Sequence, residues 1–212
     1  MSQTQRIIRG LVDELKPTGR PPVVGRVALT WWFISLLVTA TVMALVHPYR
    51  PGFAEQLAAY PRFTLEILLG LAACAGFAYA AFASGIPDLR SQWRRARVPL
   101  ILLSAWTCLF VFALFAPVLA PSMAGKRPFC FLEIIVYAAP LTIIGLLLVR
   151  RMLPLNPAGT GALMGFAAGL LPALLMQLAC MHEPVHNITW HLLPTLGAGG
   201  VGAVLGYWLL RK

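Results

Sequence analysis

Acidic side chains are scarce: Asp and Glu together number seven, and charged residues of both signs make up only 11% of the chain. A soluble globular domain carries roughly 25% charged residues, so that class is excluded. Long polar runs are missing too, and no stretch between apolar segments is long enough to fold as a second domain. The four cysteines include no Cys-x-x-Cys pair, which removes a thioredoxin-like motif and a zinc-ribbon pattern. What is present is hydrophobic: 59% of residues, spread along the whole chain, with a mean hydropathy of +0.77. Several spanning segments account for that excess better than one anchor on a soluble body.

Read in order, the chain begins with its one sizeable polar segment, Met1–Arg26. Within it Ile7, Ile8, Leu11, Val12 and Leu15 recur at helical spacing against Arg6, Arg9, Asp13, Glu14 and Lys16. The pattern predicts an amphipathic helix of about three turns, ended by Pro17, which disfavours helix in the residue before it. Thr18–Pro22 reads as a stiff linker. So short a helix is marginal alone, and its apolar stripe wants a partner: lipid headgroups or a soluble protein. Six apolar spans follow, at about Val27–Val46, Phe63–Ile86, Val98–Ala120, Phe129–Val149, Ala158–Ala179 and Ile188–Leu210. Gly161, Gly165 and Gly169 in the fifth, and Gly202 and Gly206 in the sixth, recur every four residues. Such small faces let helices approach closely in lipid, against each other or in a homodimer.

The net charge of +10 could suggest nucleic acid, but the basic residues sit in short connections, as orientation signals do. Thirteen of the seventeen Lys and Arg fall on the side of the two termini; only Arg50, Arg62, Lys126 and Arg127 fall on the other. The expectation is an all-α integral membrane protein: six transmembrane helices, both termini cytoplasmic, and no direct contact with nucleic acid. It divides into a cytoplasmic arm, residues 1–26, and a six-helix transmembrane domain, residues 27–212.

That sidedness puts Cys130 and Cys180 on the extracytoplasmic face, where disulfides persist. Cys74 and Cys108 fall inside spans among apolar neighbours and read as small core residues. The stretch Cys180–His191 packs a cysteine, three histidines and a glutamate between two apolar, glycine-rich segments. Thiolate and imidazole suit zinc or another thiophilic ion. Cys180, His182, His186 and His191, with Cys130, are the candidate donors, and Cys130, Cys180, His182 and His191 form the expected set. Their spacing matches no standard closed zinc site. The plainer alternative is a surface loop in which Trp190 anchors at the interface and His191 hydrogen-bonds the loop.

Several short patterns occur in a definite order on the six spans. They are Asp13-Glu-Leu-Lys-Pro17 in the arm, Pro61-Arg-Phe63, Pro87, Cys130 with Pro140, Cys180 followed by Trp190-His191, and Leu209-Leu-Arg211. In this the chain resembles the NrsF-type membrane-bound anti-sigma factors (negative regulators of sigma factor F). Met181, where a proline is expected, and Lys212, where an aromatic often closes the chain, depart from the pattern. The resemblance implies an inner-membrane protein, not an enzyme, that holds an extracytoplasmic-function sigma factor through its arm. It also implies that Cys130 and Cys180 receive a heavy-metal or oxidative signal. Two rivals are a small multi-pass transporter and a membrane thiol oxidoreductase. Glu66, Glu133 and His191 are too near the span ends for an ordinary ion path, and no second thiol pair is present to pass electrons on.

The basic-residue bias makes sidedness testable. A phosphatase reporter fused after Lys126 is expected to be active and one fused after Arg95 silent. The reverse pattern would place the cysteines in the cytoplasm.

Overall fold

The structure, a computed structural model, describes residues 3–14, 23–46, 48–87 and 91–211. The linker expected at Thr18–Pro22 and the arm residue Leu15 lie outside these. Among the described residues every regular element is helical, and six are long and apolar enough to cross a membrane.

Helix α1 (Gln3–Glu14) is the amphipathic arm. The spans are α2 (Val24–Val46), α4 (Pro61–Ser84), α5 (Gln92–Ala113), α6 (Cys130–Arg150), α7 (Pro157–Ala179) and a sixth, Pro184–Leu210. Between α2 and α4 lies a short helix, α3 (Phe53–Ala59), in what reads as a plain connection. The sixth span is composite. It starts with one α-turn, α8 (Pro184–His186), passes through a π-helical stretch, Asn187–Leu192, and continues as α9 (Leu193–Leu210).

Two spans differ from expectation for identifiable reasons. The third span takes in the basic stretch from Gln92 and stops at Ala113, not Ala120. Long arginine side chains extend a helix into the interface by keeping their charge in water. At the other end Pro117 disfavours helix at Ala116, and residues 114–116 finish as turns. The sixth span begins at Pro184, not Ile188, because Glu183 caps it. The Glu183 carboxylate accepts from the Val185 and His186 N–H groups, and Pro184 needs no partner at the first helical position. Eight of the twelve residues of the polar stretch, Pro184–His191, are therefore helix, not loop.

Helix α7 is the central column and the most buried of the six spans. Its glycine face meets α9 directly. A methyl group on Gly161 would overlap the Gly202 carbonyl, one on Gly202 the Gly161 carbonyl, and one on Gly165 the Ala198 carbonyl. In lipid, where apolar burial between helices gains little, such close packing supplies the attraction. The glycine faces considered for a homodimer are thus occupied within one chain. On its other side α7 packs against α4, where Gly70 leaves room for Leu174 and Trp106. Phe77, Phe82, Trp106 and Phe110 fill the centre.

Helix α2 is the least buried span and contacts the bundle along one stripe, Ala28, Trp31, Ser35, Thr39 and Met43. A groove of about 420 Å³, lined by Arg26, Val27, Trp31, Ser35, Leu141 and Leu148, separates its arm-side half from α6. Cys74 is buried as expected, its thiol against the Ala167 carbonyl at 3.2 Å. Cys108 is exposed on α5 and is no core residue, because its side of the helix faces away from the bundle.

Gly165→Leu should lower the thermal unfolding midpoint in detergent, because overpacking of a close contact costs about 1–3 kcal/mol. Gly197→Ala and Gly200→Ala, where an added methyl meets open space, should leave it unchanged.

Candidate metal and thiol site at one end of the bundle

Helix ends converge on the site. Cys130 opens α6, and Cys180 follows the last turn of α7 in extended backbone, its N–H bonded to the Met176 carbonyl at 2.7 Å. Both side chains are buried and unbonded to each other, with the sulfurs 2.9 Å apart. That exceeds the roughly 2.05 Å of a disulfide. His186 Nε2 lies 3.3 Å from the Cys180 sulfur. His191 completes the group: one ligand atom from each of Cys130, Cys180, His186 and His191 lies within 4.8 Å of every other.

The π-helical stretch makes this convergence. Residues five apart on an α-helix point about 140° away from each other, at 3.6 residues per turn. A π-helix bonds i to i+5 and brings such a pair onto one face. His186 and His191 accordingly stand with ring centroids 5.1 Å apart. His191 is fully buried, and neither of its ring nitrogens makes a hydrogen bond of normal geometry. The hydrogen bond to a surface loop considered for His191 is therefore not formed.

His182 is not one of the four; His186 stands in its place. The backbone at 182 is extended and pairs with the connection before α6, the Ser122 N–H donating to the His182 carbonyl at 3.2 Å. Its ring is turned edge-on to Phe63, centroids 5.6 Å apart. Burial, with the Arg50 charge next in weight and those of His191 and Arg62 behind it, pushes the His182 imidazole down to about 4.

Two arginines that sequence reading used only for sidedness hold the site together. Arg50, buried, donates to the Cys180 carbonyl at 2.7 Å and to Gln56 Oε1 at 2.6 Å. Its own N–H donates to the Leu178 carbonyl at 3.1 Å. It thereby satisfies carbonyls that the end of α7 leaves without helical partners. Arg127 pairs with Glu133 at 2.9 Å and donates to the Pro48 carbonyl at 3.2 Å. Gly125, at φ 78°, lets the chain pass close to Ala179 and Arg50. Their scarcity on the less basic side was the signal that could have marked these arginines. Glu66, the other acid at a span end, pairs with Arg62 at 3.4 Å.

The electrostatics separate the two thiols. The hydrogen bond between the two sulfurs holds Cys180 well below the usual thiol range. Burial opposes this, and His186 and His191 reinforce it. The arrangement favours the thiolate at Cys180, a soft ligand. A cavity of about 300 Å³, lined by Lys126, Arg127, Pro128, Cys130, His186 and Trp190, opens onto the group. The arrangement can coordinate a metal ion or join its two sulfurs by oxidation.

The described residues combine six apolar spans, an amphipathic arm and a paired-thiol cluster. The sequence pattern of one family settles the class: it matches residues 11–211 and is described as NrsF, negative regulator of sigma F. The chain belongs to the NrsF family, whose role is negative regulation of a sigma factor. Comparison with curated proteins and with solved structures returns no match.

The lowered His182 imidazole has a consequence for acid stability. The unfolded chain takes up a proton near pH 6.5 that the folded chain refuses until about pH 4, so stability falls as pH drops through that window. The loss is at most about 1.4 kcal/mol per pH unit. His182→Phe keeps a ring against Phe63 and removes the titrating group. Its thermal midpoint in detergent should vary less between pH 6.5 and 4 than that of the parent, and equal slopes would refute the assignment.

Proposed function

We propose that the chain is an anti-sigma factor of a bacterial inner membrane, with both termini cytoplasmic. It sequesters an extracytoplasmic-function sigma factor through its N-terminal arm, residues 1–26, and lets it go when Cys130 and Cys180 meet a heavy-metal or oxidative signal. The observation that carries this reading is the uncovered apolar face of α1. Ile7, Ile8 and Val12 are each more than half exposed, on a helix whose opposite face carries Arg6 and Arg9. Leu11 and Leu15 complete the stripe in sequence. An amphipathic face of this kind, joined to a family of sigma regulators, supports a docking helix for the sigma factor. The paired thiols at the other end of the bundle support the sensing role.

Transmission between the ends needs a signal that favours the releasing form, since only differential binding moves such a balance. Rigid spans packed on close glycine faces suit such a relay.

Fully burying one aliphatic side chain contributes roughly 1.5–3 kcal/mol. Ile7→Asp and Leu11→Asp should therefore weaken sigma capture by about tenfold or more. They should also leave sigma-dependent genes on without a signal. Cys130→Ser and Cys180→Ser should hold sigma normally but fail to induce a sigma-dependent reporter under cadmium or an oxidant, while Cys74→Ser and Cys108→Ser behave like the parent. Unchanged capture by the Asp variants would assign α1 to the lipid surface, and normal induction in a serine variant would remove that cysteine from the mechanism.

A further inference from the structure

The two histidines carry information that a thiol pair alone does not explain. If Cys130 and Cys180 served only to form a disulfide, one imidazole would be enough to favour the attacking thiolate, and the second would have no role. His191 would then remain fully buried with both ring nitrogens unpartnered, an arrangement that native interiors avoid. His186 aims Nε2 at Cys180 from 3.3 Å, on the same side as His191. The π-helical stretch adds to the case. It is an uncommon backbone form frequent at functional sites, and here its effect is to bring residues 186 and 191 onto one face.

We propose that Cys130, Cys180, His186 and His191 together bind one thiophilic divalent ion of the zinc class, tetrahedrally, and that this ion fastens α6, α7 and the sixth span to one another. Two thiolates and two imidazoles are the donor set that zinc takes in closed sites. Ligand bonds of about 2.3 Å to sulfur and 2.0 Å to nitrogen place tetrahedral donors about 3.3–3.8 Å apart. The four donor atoms, all within 4.8 Å of one another, already lie in that range or near it. The sulfurs, at 2.9 Å, must open by about 0.9 Å to reach it. Both cysteines bind as thiolates, and the proton displaced from the pair leaves to water. The cavity beside Cys130, His186 and Trp190 provides the way in.

The sequence spacing hid this site because its ligands come from three helices. Cys130 lies fifty residues before Cys180, and the two histidines are five residues apart. Neither interval belongs to a linear zinc motif. The proposal deepens the sensing reading, on which it rests for the idea that these cysteines receive a signal. It adds that the signal acts on a built metal centre whose histidine ligands depend on the π-helical register of the sixth span.

The test uses the full-length chain in nanodiscs, stripped of metal under reducing conditions and titrated with cobalt(II), then zinc(II). Expected is one cobalt per chain with tetrahedral d–d bands and a sulfur-to-cobalt charge-transfer band, both lost on adding one equivalent of zinc. Cys130→Ser, Cys180→Ser and His186→Ala should each lose the tetrahedral spectrum, and His182→Ala should keep it. Because removal of the buried His191 ring could unfold the chain, His191→Cys is the decisive variant. It should still bind cobalt, with a stronger charge-transfer band from the third sulfur. No cobalt binding by the reduced parent, or a spectrum unchanged in His186→Ala or His191→Cys, overturns the site. Capture of a sigma factor by the same samples separates the two readings. Capture without cobalt binding removes the metal centre alone, and cobalt binding without capture upholds the centre while overturning the anti-sigma role.

Discussion

The centre of the contact between α7 and α9 is made by backbone, and most of the molecule is arranged by it. Where Gly161, Gly165 and Gly202 face each other there is no room for a Cβ, so the two helices share one line of approach. In a lipid surrounding, that proximity is a source of attraction that apolar side chains do not supply. It also makes α7 a column with neighbours on most sides: α4 lies across Gly70, and α6 meets Met164 at Gly145. Two helices held this close must also be joined over a short distance. The turn from Cys180 to Glu183 makes that reversal, and its polar groups are carried into the top of the bundle instead of out to the surface.

Burying such a turn raises a problem of unsatisfied polar groups, and the structure meets it with arginine. Arg50 and Arg127 are nearly inaccessible, and their forks are turned toward carbonyls of Cys180 and Pro48 and toward Gln56 and Glu133. A buried charge left alone would be costly; one that satisfies helix-end carbonyls and a carboxylate is compensated. Three connections that are distant in sequence, those after α2, before α6 and after α7, become a single layer. The thiol pair and its histidines lie in that layer with little freedom to rearrange independently of it.

Much of this was legible in the chain alone. Six charge-poor segments of spanning length admit few other folds, and the four-residue glycine intervals pointed to the α7–α9 contact, although not to whether it lay within one chain. Cys130 and Cys180 belonged together because both sat at the same ends of neighbouring spans. The identity of the histidines was not legible. An α-helical period assigns His186 and His191 to different sides of a helix, and only a local π-register, which no propensity rule signals, unites them. His182 belonged to the expected set, yet its extended backbone pairs with Ser122 and its ring is turned toward Phe63. The third span differs at its start because arginines assigned to a connection prolong the helix, and at its end because Pro117 stops it early.

The slender attachment of α2 has a mechanical meaning. Its 23 residues form a rod of about 34 Å, at 1.5 Å per residue. Just past one end the chain is pinned at Pro48 and Arg50 to the layer that contains the cysteines; the other end leads to the arm. Along the arm-side half the groove toward α6 leaves space into which the rod can swing. A pivot near the pinned end amplifies displacement with distance. A tilt of about 5° would move the far end by about 3 Å. That is comparable to the separation of bonded atoms across a hydrogen bond, and enough to make or break a side chain's seat. A lever of this shape would turn a small change among the four side chains at one end into a larger displacement at the other.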